Sequence, residues 1–213
     1  MKIDFVSDVS CPWCAIGLNA LEQALANVGP DIQATLHFQP FELNPQMAAQ
    51  GQDITEHLAQ KYGIDAAQIA ANTEAIRQRG AAVGFEFGIG KRSRIYNTFD
   101  AHRLLHWAGL QGGGPQRALK HALLKAYFTD GLNPSDAGVL LAAARAAGLH
   151  ADAAQAVLAG EQFSAEVRQA EAFYQQQGIH SVPAIIINDR HLISGGQPVE
   201  VFEQALRQIA AAP

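Results

Sequence analysis

The stretch Lys2-Ile3-Asp4-Phe5-Val6-Ser7-Asp8-Val9-Ser10-Cys11-Pro12-Trp13-Cys14 decides how this chain folds. Ile3, Phe5 and Val6 form a short apolar run of strand length. Ser10 then precedes Cys11-Pro12, and proline suits the first helical position because its missing N–H has no intrahelical partner there. Leu18, Leu21, Leu25 and Val28 follow at helical spacing, and Gly29-Pro30 ends the helix. Ile32, Ala34, Leu36 and Phe38 alternate with Gln33, Thr35 and His37, which is the period of a strand. The first forty residues therefore read strand–helix–strand, and a helical crossover of this kind makes the two strands parallel.

From about Asp53 to Gly160 the texture changes to Ala, Leu and Gln in helix-length segments. Helices are expected to begin near Asp53, Asp65, Asn97, Pro115, Ser135 and Asp152. The breaks fall at Gly63, Gly88–Gly90, Gly112–Gly114, Asn133-Pro134 and Gly148. Ser135 and Asp136 suit an N-cap. Beyond this block, Ser164 is expected to cap a helix through Val167, Ala170, Phe173 and Tyr174 that ends at Gly178. Ser181-Val182-Pro183 leads into Ala184-Ile185-Ile186-Ile187, a compact run suited to a central strand. Asn188-Asp189 reads as a turn and His191–Ser194 as the returning hairpin strand. Gly195-Gly196-Gln197-Pro198 then opens a last helix with Val201, Phe202, Ala205, Leu206 and Ile209 on one face. The chain is thus an α/β protein whose βαβ half (1–50) and αββα half (161–213) are separated by a helical insertion (51–160).

Composition bounds the function. Of the 213 residues 48% are apolar, enough for a sizeable core and against disorder. Acidic residues outnumber basic ones 20 to 15, so a mainly electrostatic nucleic-acid partner is not expected. No stretch approaches the ~18 apolar residues of a membrane span. The first residues carry too short an apolar run, interrupted by acids, for a signal peptide. A cytoplasmic protein with no membrane partner is the expectation, and the oligomeric state is left open.

Only two cysteines are present, Cys11 and Cys14. A bridge between them closes too short a loop to constrain the unfolded chain, so redox chemistry explains the pair better than a structural cross-link. Their position between a strand and a helix matters. The N–H groups and macrodipole at a helix N-terminus favour an anion, and the thiolate is the nucleophile of disulfide exchange. Cys11, at the helix start, is expected to attack a disulfide. Cys14, one turn on and more buried, is expected to resolve the product. A zinc clasp is the alternative: His102 and His106 stand four apart, but a second C-x-x-C is absent and no metal site is expected. An aromatic between the cysteines, Trp13, is expected to be partly exposed and to offer a docking surface. Val182-Pro183, directly before a buried strand, is either a cis bond that exposes the Val182 backbone to an extended substrate or an ordinary trans strand start.

Several segments together resemble the DsbA family of the thioredoxin superfamily, and within it the FrnE-type branch. They are Asp8-Val9-Ser10-Cys11-Pro12-Trp13-Cys14, Phe38-Gln39-Pro40-Phe41-Glu42-Leu43-Asn44-Pro45, Asn97-Thr98-Phe99-Asp100-Ala101-His102-Arg103 and Ser194-Gly195-Gly196-Gln197-Pro198. The resemblance implies a thioredoxin-like fold split by the helical insertion, thiol–disulfide oxidoreductase activity and a cis Pro183. It also implies that the insertion helix carrying Asn97, His102 and Arg103 faces the redox motif. Pro12-Trp13 departs from the Pro-His dipeptide of periplasmic DsbA, so the oxidising poise of that protein does not carry over. Substrate contacts are expected from Pro12, Trp13, Val182, Pro183, Asn97 and His102, although Asn97 reads equally as a cap and Arg103 as a solvated charge. Gly112–Gly114 lacks a following Lys-Ser/Thr and reads as a flexible turn. Lys91-Arg92-Ser93-Arg94 reads as a solvated loop or as a seat for a glutathione carboxylate.

The leading expectation is an enzyme that exchanges disulfides with protein or small-molecule substrates, with no cofactor beyond its own dithiol and glutathione as an optional reductant. The alternative is a glutathione-dependent isomerase or transferase of the 2-hydroxychromene-2-carboxylate isomerase or kappa type. Those enzymes generally carry serine at the position of Cys11, so the intact pair speaks against it. A binding module would need neither thiol.

Overall fold

The computed structural model describes residues 1–212. Strand β1 (Lys2–Ser7) runs into helix α1 (Pro12–Val28), which returns through β2 (Thr35–Pro40). The helical block follows. It opens with β3 (Gln52–Asp53), α2 (Ile54–Tyr62), α3 (Ala66–Ala82) and β4 (Arg94–Ile95). It continues with α4 (Phe99–Leu110), α5 (Gly113–Leu124), a π-helical turn (Lys125–Thr129), α6 (Ala137–Ala146) and α7 (Ala151–Ala159). The chain closes with α8 (Ser164–Gln176), β5 (Ala184–Ile187), β6 (His191–Ser194) and α9 (Val199–Ala211). The main sheet has the order β2-β1-β5-β6, with β1 parallel to β2 and antiparallel to β5. β3 and β4 form a separate two-stranded pair.

Strand alternation explains the layers. Ile3 and Phe5 lie opposite Ile187 and Ile185, and these four pack with Leu21 of α1 and Phe202 and Leu206 of α9. Val6 and Ala184 point the other way, against Phe41, Tyr174 and Ile179. The helical block is welded to this core, because Val83, Phe85, Leu124, Tyr127 and Phe128 join the first cluster. α4 to α7 enclose a second core around Leu104, Leu119, Leu123 and Leu140, which receives Val9 from the turn before α1. α5 also covers the exposed edge of β2. The buried Gln116 amide accepts from the Phe38 N–H and donates to its carbonyl, both at 3.1 Å, so this edge is closed to other strands.

Several local readings shift. β2 starts at Thr35, and Ile32 and Ala34 pack on the core from the segment before it. Gly113 and Gly114 are not a turn but the first residues of α5; Pro115 sits in the first helical turn, where a missing N–H costs no bond. Ser164 is the first residue of α8 rather than its cap, with Phe163 before it in the left-handed region at φ 64°. Asp53, Asp65 and Asp136 do cap their helices.

Arg103 is not a solvated charge. It is 3% exposed and its guanidinium donates to the carbonyls of Val157, Gly160 and Gln162 while pairing with Asp100 at 2.7 Å. These are carbonyls at and beyond the end of α7, which no helix bond can reach. Arg103→Met should therefore leave three buried or half-buried acceptors unpaired and cost about 3 kcal/mol, at about 1 kcal/mol or more for each. Urea unfolding at neutral pH measures it, with the midpoint moving and the slope unchanged.

Candidate active site

Cys11 is the N-cap of α1 and Pro12 its first helical residue. The Cys11 carbonyl accepts from the N–H groups of Cys14 (3.1 Å) and Ala15 (3.4 Å), which starts the helix. The Cys11 side chain makes no capping bond to the helix, so its thiol is available elsewhere. Its Sγ–H donates to the Val182 carbonyl at 3.6 Å. The Val182–Pro183 bond is cis, as the resemblance implies. Both thiols are free. Cys11 is 3% exposed and Cys14 is fully enclosed, so the motif is more closed than an open helix end would make it. Burial pushes the Cys14 thiol well above the usual thiol range, and Cys11 beside it adds to the effect.

Asp8 anchors this turn from below. One carboxylate oxygen accepts from the Ser10 N–H (3.0 Å) and the other from the Leu43 N–H (2.7 Å). His102 Nε2 lies 3.6 Å from Asp8 Oδ1, just beyond hydrogen-bond range. Burial alone would raise the Asp8 carboxyl; His102 and the two N–H donors overcome it and hold the group at about 2.

The outer rim carries aromatic rings under cations. Trp13 is 37% exposed, and the Arg79 guanidinium lies 5.6 Å from its ring centroid while donating to the Gly196 carbonyl. Gly196 must be glycine: a Cβ there would stand 2.8 Å from the Trp13 carbonyl. The Ser194–Pro198 segment thus seats on the first turn of α1. Arg92, read from sequence as part of either a solvated loop or an anion seat, lies over Tyr127 and Phe128 at 5.3 and 4.9 Å and so is not simply solvated. Burial lowers its basicity, against the smaller opposing effect of Tyr127. Its neighbour Arg94 donates to the carbonyls of Gln50 and Gly51.

Of the residues expected to meet substrate, Pro12, Trp13, Val182 and Pro183 gather around Cys11. His102 reaches the motif only through Asp8. Asn97 is turned to a local task, its Oδ1 accepting the Phe99 N–H at 2.9 Å ahead of α4. The described residues contain no cluster of three or more metal-ligating side chains, His102 and His106 included. Sequence reasoning assigned no role to Asp8 or Lys120. Lys120, on α5, is fully buried and its Nζ has no protein hydrogen-bond partner. Nothing in the local sequence distinguishes it from a helix-surface lysine.

The family model described as DSBA-like thioredoxin domain matches residues 2–207. The chain belongs to this family. A probable DsbA oxidoreductase from Streptomyces coelicolor is 34% identical, with a TM-score of 0.90 over 98% of this chain and 89% of that one. A 2-hydroxychromene-2-carboxylate isomerase superposes at TM-score 0.72 with 13% identity, covering 98% of this chain and 96% of that one. The cytosolic disulfide reductase DsbM from Pseudomonas aeruginosa, solved with GSH, superposes at 0.69 with 17% identity over 100% of both chains. These last two share the fold with this DsbA-like chain.

The Asp8 geometry has a consequence for stability. Its folded value of about 2 lies below the ~3.9 of an unfolded aspartate, so the contribution is present above pH 4 and is lost as pH falls toward 2. Asp8→Asn should cost about 2 kcal/mol at pH 7, and the gap to the parent protein should narrow between pH 4 and pH 2 in urea melts. A pH-independent gap would assign the loss to packing.

Proposed function

We propose that this DsbA-like protein is a dithiol–disulfide oxidoreductase in which Cys11 attacks and Cys14 resolves. The observation that carries the reading is the asymmetry of the pair. Cys11 Sγ faces the Val182 carbonyl on the substrate side, whereas Cys14 is enclosed and its thiol is held protonated by burial. In the first step the Cys11 thiolate bonds to one sulfur of a substrate disulfide, the substrate S–S bond breaks, and one substrate thiolate leaves. In the second, Cys14 gives up its proton and attacks Cys11 Sγ. The mixed disulfide breaks, the second substrate thiol departs, and the substrate is reduced as Cys11–Cys14 is oxidised. The reverse sequence oxidises a dithiol.

The substrate side supports an extended peptide or a small disulfide. Trp13 offers an exposed ring, and the Val182 carbonyl offers an acceptor for a substrate N–H. Arg79 and Arg92 supply fixed cations to either side, which suits the carboxylates of a glutathione-type thiol. The likeness to a disulfide reductase solved with GSH supports glutathione as co-substrate, and its cytosolic origin supports a cytoplasmic setting. Assignment to the FrnE-type branch rests on the four sequence segments and belongs to this proposal. The isomerase reading shares the fold, but the intact cysteine pair favours disulfide exchange.

Cys14→Ser should accumulate a mixed disulfide on Cys11 when mixed with glutathione disulfide, seen as a mass increase that dithiothreitol reverses. Cys11→Ser should form none and should lose all insulin-reduction and glutathione-exchange activity. Adduct formation on Cys14 in the Cys11→Ser variant at the parent's rate would reverse the roles.

A further inference from the structure

Glu42, on the chain leaving β2, and Glu171 of α8 are each 6% exposed. Both rest on one nitrogen. Arg168 Nη1, also from α8, donates to Glu42 Oε2 and, at 2.8 Å, to Glu171 Oε2. The other oxygen of each carboxyl, Oε1, is buried without a protein hydrogen-bond partner. The Arg168 guanidinium lies 3.8 Å from the Phe99 ring centroid, which holds it from the α4 side. Two acids on different elements thus share a single cation. Ionised together, they leave one negative charge uncompensated and two buried carboxylate oxygens without donors, which burial penalises heavily. The surrounding charges do not remove the surplus. Burial raises the Glu42 carboxyl most; Arg168 lowers it through its hydrogen bond, Glu171 raises it again and His102 on α4 lowers it, with the net direction upward. Asp100 and Arg103, also on α4, pair with each other.

We propose that Glu42 and Glu171 hold one proton between them at pH 6, and that its loss as pH rises loosens α8 from the chain leaving β2. This pH-sensitive clamp does not depend on the dithiol reading. With the proton in place, the two carboxyl groups and the guanidinium sum to zero charge. A neutral carboxyl oxygen left without a donor also costs less than an ionised one. When the proton leaves to solvent, two like charges meet at Arg168 Nη1, one on each side of the contact. The chain leaving β2 is anchored, because Leu43 gives its N–H to Asp8 and its carbonyl accepts from Lys61 at 2.9 Å. The repulsion therefore falls on α8. That helix is held to the same segment by an apolar contact, Phe41 packing with Tyr174 and with Ile179 beyond its end. Ile179 leads directly to Val182, so the clamp sits one short segment away from the carbonyl that faces Cys11.

A carboxyl that is protonated in the folded protein, but ionises at ~4.3 when unfolded, stabilises fully below pH 4. That stability is lost as pH rises through the folded midpoint. Urea melts from pH 4 to pH 9 test this on the full-length protein and on Glu42→Gln, which copies the neutral carboxyl in shape and keeps an acceptor for Arg168. The parent's unfolding constant should rise relative to the variant's by at least about tenfold over that range. Glu171→Gln should give the same relative rise, because either change leaves one acid for one guanidinium. A smaller rise for either variant would overturn the shared proton. Glutamate labelled with 13C at Cδ reads the parent directly. One carboxyl resonance, lost in Glu42→Gln or in Glu171→Gln, should titrate with a midpoint above pH 6, and titration of every glutamate below pH 6 would overturn the proposal without any variant. Amide hydrogen exchange reads the clamp itself. Between pH 6 and pH 9, and corrected for the intrinsic rate, protection of α8 should fall in the parent and hold in Glu42→Gln. Unchanged protection in the parent, or an equal fall in the variant, would overturn the clamp.

Discussion

Asp8 accepts the Ser10 N–H through one oxygen and the Leu43 N–H through the other, and so ties the end of β1 to the chain leaving β2. Its backbone carbonyl takes the Cys11 N–H at 3.3 Å. A carboxylate enclosed this deeply survives only because each oxygen has a donor and a histidine stands near. The result is a rigid approach to α1. Cys11 is held at the helix start, with its thiol turned across the sheet toward Val182 on the chain entering β5. Without that clamp the β1–α1 turn would be an ordinary loop, and the spacing between Cys11 and the Val182 carbonyl would have no fixed value.

The second wall of the site comes from the helical block. α4 delivers His102 to Asp8, α5 carries the buried Lys120, and the π-helical turn presents Tyr127 and Phe128 as the stack for Arg92. A π-helical turn widens the helix and re-aims its side chains, which is the usual reason for one near a functional site. The Tyr127 hydroxyl donates to the Arg94 carbonyl at 2.9 Å and so fastens the basic segment to the same turn. The insertion therefore closes the redox motif as well as packing on the sheet, and it does so with the side chains that carry the site's charge.

Much of this was legible in the sequence. The strand–helix–strand opening, the late hairpin and the capped helices follow from periodicity and from Asp53, Asp65 and Asp136, because such signals act within a few residues. The Cys11–Cys14 motif was legible for the same reason. What escaped were polar side chains whose partners lie far along the chain. Asp8 meets Leu43 at a separation of 35 residues, Arg103 meets Gln162 at 59 and Gln116 meets Phe38 at 78. A lysine or arginine on an amphipathic helix reads as solvent-facing unless the opposing surface is known. Lys120 and Arg103 have opposing surfaces that exist only once the helices dock. Ser164 shows the reverse error: a good capping residue occupies the first helical position because Phe163 takes up the left-handed conformation before it.

The dipeptide between the cysteines gives these distant residues their weight. Pro12-Trp13 contributes no ionisable group, so any charge that acts on Cys11 must be brought from outside the motif. Two guanidiniums outside the motif rest on aromatic platforms, Arg79 over Trp13 and Arg92 over Tyr127 and Phe128. A guanidinium lying over a ring is restricted in orientation and partly stripped of water, so its charge is felt at longer range than that of a solvated lysine. Deeper in the protein the buried polar groups are Asp8, with His102 beside it, and Lys120 on α5. The two thiols thus meet different surroundings: Cys11 Sγ lies against the Val182 carbonyl, whereas Cys14 is fully enclosed and its thiol is held protonated by burial. In the proposed function, that difference is what separates two chemically identical residues three apart into an attacking and a resolving group.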